Sequence, residues 1–158
     1  MIQPSMSVPS SLRKALPLDY APVVLIADKE PVIRELYQEI LGGQPVRLLT
    51  AADGQEALAL AQTWVPELVV TDIAMPRLDG FGLVRALRRL YPDVPVIVIT
   101  GTAWYRGRPV QEVAAEHGVV TILTKPFNLS DLQDAIQRAV PVLGLVRPMT
   151  AGDGIHAA

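Results

Sequence analysis

The chain has 158 residues, half of them apolar and 19% charged, which suits one compact domain and excludes both a disordered chain and two ordinary domains. A net charge of −2, a pI near 5.6 and the lack of any Lys and Arg run argue against a dedicated nucleic-acid binder. With no cysteine there are no disulfides or thiolate metal sites, as suits a reducing cytosol, and no apolar run approaches the length of a membrane span.

Residues 1–20 are rich in Ser and Pro and read as a flexible arm. Pro4, Pro9 and Pro17 break the stretch from Met1 to Asp19, which lacks the apolar segment of a secretory signal. The first apolar run, Val23–Ala27, precedes a helical pattern in which Val32, Ile33, Leu36, Ile40 and Leu41 recur at three- and four-residue intervals. Gly42–Gly43 stops that helix. A second run, Val46–Thr50, leads to a helix marked by Ala57, Leu58 and Ala61. A third, Leu68–Thr71, leads to one marked by Phe81, Val84, Leu87 and Leu90. After the fourth run, Val94–Ile99, the residues Val110, Val113 and Ala114 predict a short helix. The fifth, Val119–Leu123, precedes a helix from about Leu129 to Val140, with Asn128 or Ser130 as its N-cap and Pro141 at its end. The runs are rich in Val and Ile and lack apolar/polar alternation, the mark of strands buried on both faces. Their alternation with helices implies an α/β domain over residues 21–140, a parallel sheet covered on both sides. Residues 141–158 have scattered Gly and Pro and read as a surface tail with no output domain; their apolar members Val142, Leu143, Leu145 and Val146 are candidates to pack back on the domain.

The informative residues follow the strands. Asp28 ends the first run, Asp72 the third and Thr100 the fourth, and Lys125 follows the fifth. In a parallel sheet the carboxyl ends of the strands share one edge, where ligands bind. Singly, each residue has an ordinary role as a cap, a strand end, a solvated cation or a turn. Together they gather two carboxylates, a hydroxyl and an ammonium, a set that suits a phosphoryl group beside a hard divalent cation. A carboxylate among cations is also a plausible nucleophile for an acyl phosphate.

At these residues the sequence resembles the receiver domain of two-component response regulators, over roughly residues 22–140. The segments that match are Val24-Leu-Ile-Ala-Asp-Lys-Glu-Pro31, Glu67-Leu-Val-Val-Thr-Asp-Ile-Ala-Met-Pro-Arg-Leu-Asp-Gly80, Pro95-Val-Ile-Val-Ile-Thr-Gly101 and Leu123-Thr-Lys-Pro-Phe127; Ala52-Asp-Gly-Gln-Glu-Ala-Leu58 looks like the family's second helix. The resemblance implies a flavodoxin-like, doubly wound (βα)5 fold with a five-stranded parallel sheet in the order 2-1-3-4-5. It implies Asp72 as phosphoacceptor, with Asp28, Asp72 and the backbone carbonyl of Ala74 holding Mg²⁺. It implies Thr100 as the switch hydroxyl and Lys125 as the ammonium that pairs with the phosphoryl group. The Lys125–Pro126 bond is expected to be cis.

Two positions depart from the family pattern. Lys29 stands where a second acid usually ligates the metal, so Mg²⁺ binding should be weakened. Glu30 is a neighbouring carboxylate, expected at the start of the first helix. Ile122 stands where many members carry the aromatic residue that rotates with the switch Thr, which mutes or reroutes that coupling. The loop after Thr100 is longer than usual in the family and carries Trp104, Tyr105, Arg106 and Arg108, side chains of the kind enriched at interfaces.

The resemblance implies a stand-alone signalling module of the bacterial cytoplasm. It would take its phosphoryl group from a histidine kinase or phosphotransfer protein and act on a downstream protein, with no nucleic-acid or membrane partner. Receivers often pair through the face of the fourth helix, fifth strand and fifth helix, which leaves a homodimer open. The alternative is a phosphorylation-independent interaction domain in which Lys29 pairs with Asp72. An enzyme is not implied beyond self-phosphorylation and autodephosphorylation: haloacid-dehalogenase-type phosphatases need a second Asp where this chain has Ala74, and no glycine-rich phosphate loop follows the first strand.

Overall fold

The computed structural model describes residues 20–140. The expected arm, apart from Tyr20, and the expected tail after Val140 lie outside the described residues. Five strand–helix units follow one another: β1 (Val23–Ala27), α1 (Pro31–Leu41), β2 (Arg47–Ala51), α2 (Gly54–Thr63), β3 (Leu68–Asp72), α3 (Gly80–Leu90), β4 (Val96–Thr100), α4 (Val110–Glu116), β5 (Thr121–Thr124) and α5 (Leu129–Ala139). The five strands pair in parallel in the order β2-β1-β3-β4-β5, the flavodoxin-like winding.

Successive strand residues face opposite sides of the sheet, and each side has its own core. Val24 and Ile26 of β1 turn toward Tyr37, Ile40 and Leu41 of α1 and Leu132, Ala135 and Ile136 of α5. Leu25 and Ala27 turn the other way, toward Ala57 and Ala61 of α2, Phe81, Val84 and Leu87 of α3, and Val110 and Val113 of α4. Each large side chain buried in this way is worth about 1.5–3 kcal/mol. Strands buried on both faces are found only in the middle of the sheet. The edge strands β2 and β5 remain largely half-exposed, because each has a partner strand on one side alone.

The helices begin where the sequence offers caps. Asn128, rather than Ser130, caps α5 in a reciprocal box with Asp131. Asp53 caps α2 and Asp79 caps α3, while α1 starts with Pro31 after Glu30. The strand ends shift slightly from the expected ones: Asp72 and Thr100 are the last residues of β3 and β4.

One feature escapes the periodicity of the sequence. Between β4 and α4, Trp104–Tyr105 pairs antiparallel with Arg108–Pro109 in a small ribbon. Arg106 and Gly107, at its tip, have φ of 49° and 76°, the positive values that a tight two-residue hairpin turn demands. Gly107 is the sequence signal for this turn, and two-residue strands are too short to show alternation.

Candidate functional site

The carboxyl edge of the sheet brings Asp28, Asp72, Thr100 and Lys125 together. Asp72 is 4% exposed; its Oδ1 accepts from the Ile73 N–H at 2.7 Å, and its Oδ2 lies 3.2 Å from Lys125 Nζ. Asp28, one strand over, is 1% exposed. Its Oδ1 accepts from the Glu30 N–H at 2.9 Å, and its Oδ2 lies 3.5 Å from the same Lys125 nitrogen. The Arg34 guanidinium donates to the Asp28 carbonyl at 2.6 Å and so ties α1 to the exit of β1. Lys125 is placed by its own backbone: its N–H donates to the Thr100 carbonyl at 2.8 Å, and the following bond to Pro126 is cis.

The charges explain one another. Burial pushes the Asp28 carboxyl up, and the nearby Asp72 adds to that, while the Glu30 N–H and the Lys125 ammonium draw it back down. Burial alone would lower the Lys125 ammonium, but Asp28 and Asp72 overcome it, and Lys125 holds its proton above the ordinary lysine range. Behind the pair lies Tyr37 of α1, fully buried, with a hydroxyl that has no hydrogen-bond partner among the described residues; burial and the two aspartates push its proton release far up.

Thr100 reaches the edge but not the carboxylate. Its hydroxyl donates to the Thr102 carbonyl at 2.7 Å and accepts from the Thr102 N–H at 3.0 Å, so it is turned into its own loop. Ile122 packs half-buried against the core and lines a hollow of about 300 Å³ with Thr100, Trp104, Val110 and Thr124.

The alternative pairing of Lys29 with Asp72 does not occur. Lys29 is exposed, and the cation beside Asp72 is Lys125. The reason is local: the Glu30 N–H bonds the Asp28 side chain two residues back, a short side-chain turn that leaves the intervening Lys29 on the outside, where its ammonium is hydrated. Glu30 is the N-cap residue of α1, and its Oε1 lies 3.8 Å from Lys125 Nζ. Among the described residues no three carboxylate or imidazole side chains converge into a ready metal site. Asp28 and Asp72, both buried and both within 3.5 Å of Lys125 Nζ, still offer two hard carboxylates of the kind a Mg²⁺ ion takes as ligands.

The long loop divides its side chains. Trp104 is 62% exposed and Arg106 is exposed, as a partner surface requires. Tyr105 is turned to the protein, packing edge-on against Phe81 with ring centres 4.8 Å apart and donating to Asp79 at 2.7 Å, while Arg108 stays exposed and pairs on the surface with Glu116 and Glu112. Sequence reasoning did not assign a role to Asp79 or tie Tyr105 to it. The signal for Asp79 was present, an Asp-Gly pair at a helix start, but nothing local links either residue to the other 26 positions away.

Comparison with known proteins gives a consistent picture. The model of the response regulator receiver domain matches residues 24–137. The chain is similar to the transcriptional regulatory protein PdtaR of Mycobacterium tuberculosis, 37% identical over 83% of this chain and 61% of that protein, so it spans less than two thirds of this relative's length. Among solved structures it is similar to the chemotaxis protein CheY4 of Vibrio cholerae, with 30% identity, a TM-score of 0.68, and 77% of this chain and 100% of that chain covered. It is also similar to the signal receiver domain of an HD domain-containing protein from Pseudomonas fluorescens, with 26% identity, a TM-score of 0.71 and coverage of 78% and 98%.

Proposed function

Because the chain belongs to the response regulator receiver family, we propose that it accepts a phosphoryl group on Asp72 from a histidine kinase or phosphotransfer protein and passes the signal on through protein–protein contacts. The observation that carries this reading is the buried Asp72 carboxylate with Lys125 Nζ 3.2 Å away and Asp28 alongside. In the transfer, an Asp72 carboxylate oxygen forms a bond to phosphorus while the phosphorus–nitrogen bond of the donor phosphohistidine breaks. The donor imidazole leaves with the bonding electron pair and takes up a proton.

Lys125 supplies fixed positive charge to the phosphoryl oxygens as they arrive, and its ammonium is already in place. The Thr100 hydroxyl supplies a further donor once it lets go of Thr102. Asp28, Asp72 and the Ala74 carbonyl would hold a Mg²⁺ ion, which would supply charge neutralisation at the same oxygens. Lys29 takes the place of a third carboxylate at this rim, so the ion would be held weakly, by fewer oxygens and beside an added positive charge. On this reading the chain works in the cytoplasm. Among the described residues no helix is long and apolar enough to cross a membrane.

The test is intact-mass spectrometry of the full chain after acetyl phosphate treatment with Mg²⁺. We expect the gain of one phosphoryl group, absent in Asp72→Asn. No gain at saturating Mg²⁺, or a gain that persists in Asp72→Asn, overturns the reading.

A further inference from the structure

The hydrogen bond from the Tyr105 hydroxyl to Asp79 Oδ2 plays no part in the chemistry above, yet it joins the two loops that flank Asp72 and Thr100. Asp79 is fixed firmly. Its Oδ1 accepts from the Gly82 N–H at 2.7 Å, capping α3. The next residue, Gly80, donates to the Ile73 carbonyl at 2.9 Å and lies so near the Asp72 backbone that a Cβ there would overlap the Asp72 carbonyl oxygen. Asp79 therefore stands directly behind the residue that carries the reactive carboxylate.

Tyr105 belongs to the other loop, and that loop holds Thr100. The Thr100 hydroxyl is bonded to the backbone of Thr102, and the Thr102 hydroxyl makes the same pair of bonds, each 3.2 Å, to the carbonyl and N–H of Trp104. The next residue is Tyr105, whose ring is held by Phe81 and whose hydroxyl is held by Asp79, with Arg106 at 3.5 Å from the same carboxylate oxygen. A continuous line of contacts thus runs from the Asp72 backbone through Gly80, Asp79, Tyr105, Trp104 and Thr102 to the Thr100 hydroxyl.

We propose that the Tyr105–Asp79 bond is a latch that keeps the Thr100 hydroxyl turned into its own loop, and that this hydroxyl reaches a phosphoryl group on Asp72 only when the latch opens. The inference rests on the phosphoacceptor reading of Asp72. Thr100 has a single hydroxyl proton, and in the closed loop that proton goes to the Thr102 carbonyl. To aim it at Asp72, Thr102 must release it, and Thr102 is strapped to a ribbon that Tyr105 pins to α3. The loop thus has two discrete arrangements, and an anion on Asp72 favours the one that delivers the proton. Tyr105 is a positioning residue: it touches no reacting atom and acts through Thr102.

The variant Tyr105→Phe keeps the ring on Phe81 and deletes only the hydroxyl. In the unlabelled full chain, amide hydrogen exchange at Thr102 and Trp104 should quicken by about tenfold or more, the consequence of losing a bond to a carboxylate, while the β1 and β3 amides keep their rates. Titration with beryllofluoride and Mg²⁺, followed by the Thr100 methyl resonance, should reach its midpoint at a lower concentration in the variant. Unchanged exchange in the loop overturns the latch. Faster exchange with an unchanged midpoint also overturns it, since the bond would then restrain the ribbon without gating Thr100. If the Thr100 resonance responds in neither protein and acetyl phosphate labels neither, the reading of Asp72 fails and the gating with it, while the exchange rates still report whether the bond restrains the loop.

Discussion

Lys125 Nζ lies 3.2 Å from Asp72 Oδ2 and 3.5 Å from Asp28 Oδ2, one ammonium shared between two buried carboxylates. The two shifts it links have definite consequences for stability. The Asp28 carboxyl is raised from its ordinary 3.8, chiefly by burial, so its ionised form costs stability as pH rises from that value through its folded value. Lys125 is raised above its ordinary 10.5 by the two aspartates acting against burial; its contribution is complete below that value and is lost as pH climbs through the folded one. Lys125→Met removes the cation and leaves both carboxylates unpaired. We expect a loss of about 2 kcal/mol near pH 8 by urea denaturation, shrinking at acid pH as the raised Asp28 carboxyl takes up a proton. An equal loss at neutral and acid pH would show that the ammonium does not hold Asp28.

Lys29 is exposed at the rim of the same site and contributes no oxygen to it. Lys29→Asp would exchange an ammonium for a carboxylate and give the edge a third acid beside Asp28 and Asp72. Mg²⁺ affinity, followed by isothermal titration, should rise by about tenfold or more, since each added charged oxygen ligand counts strongly for a hard cation. An affinity that does not rise would mean the position lies too far out to ligate, and the weak site would need another cause.

Much of this site was legible in the sequence because of where its residues stand. Asp28, Asp72, Thr100 and Lys125 each follow a Val- and Ile-rich run, and a parallel sheet collects such positions at one edge whatever the details of packing. The direction of individual side chains was not legible. Lys29 was open to pairing with Asp72 until the backbone showed Glu30 bonded to Asp28, which puts Lys29 outside. The Tyr105–Asp79 bond depends on a ribbon whose two strands have two residues each, shorter than any periodicity, and on a contact across 26 residues. The burial of β2 was over-read for a related reason: its run of apolar residues resembles that of a central strand, and only the pairing order makes it an edge.

Tyr37 offers a test of how tightly the floor of the site is closed. Its ring is 1% exposed, packed with Ile40 and Leu41 in the core between α1, α5 and the sheet, and its hydroxyl has no partner among the described residues. A buried hydroxyl without a hydrogen bond costs free energy that an apolar atom of the same shape would not. Tyr37→Phe should therefore be stabilising by about 1 kcal/mol, read as a higher urea midpoint with an unchanged slope. A loss of similar size would reveal that the hydroxyl is bonded in solution.

Gly80 sets the distance between α3 and the nucleophile. Its N–H donates to the Ile73 carbonyl at 2.9 Å, and a methyl group on its α-carbon would overlap the Asp72 carbonyl oxygen and crowd the Ile73 backbone. Those neighbours are main chain on both sides, the last residue of a central strand and the turn beyond it, so none can swing away as a side chain would. Gly80→Ala must then either push the start of α3 outward or displace the end of β3, at a cost of about 2–4 kcal/mol. The two routes differ in what they do to the site. If α3 yields, Asp79 moves with it, the Tyr105 bond lengthens, and exchange at Thr102 and Trp104 quickens as in Tyr105→Phe. If β3 yields, Asp72 moves away from Lys125 and labelling by acetyl phosphate falls. We expect the first, because β3 is a central strand paired with both β1 and β4, with Thr71 facing Ala27 and Asp72 facing Ile99, whereas the first turn of α3 is held at its start by the Asp79 cap. Denaturation, loop exchange and labelling measured on this one variant separate the routes, and wild-type stability would show that the backbone at Asp72 has more room than its packing implies.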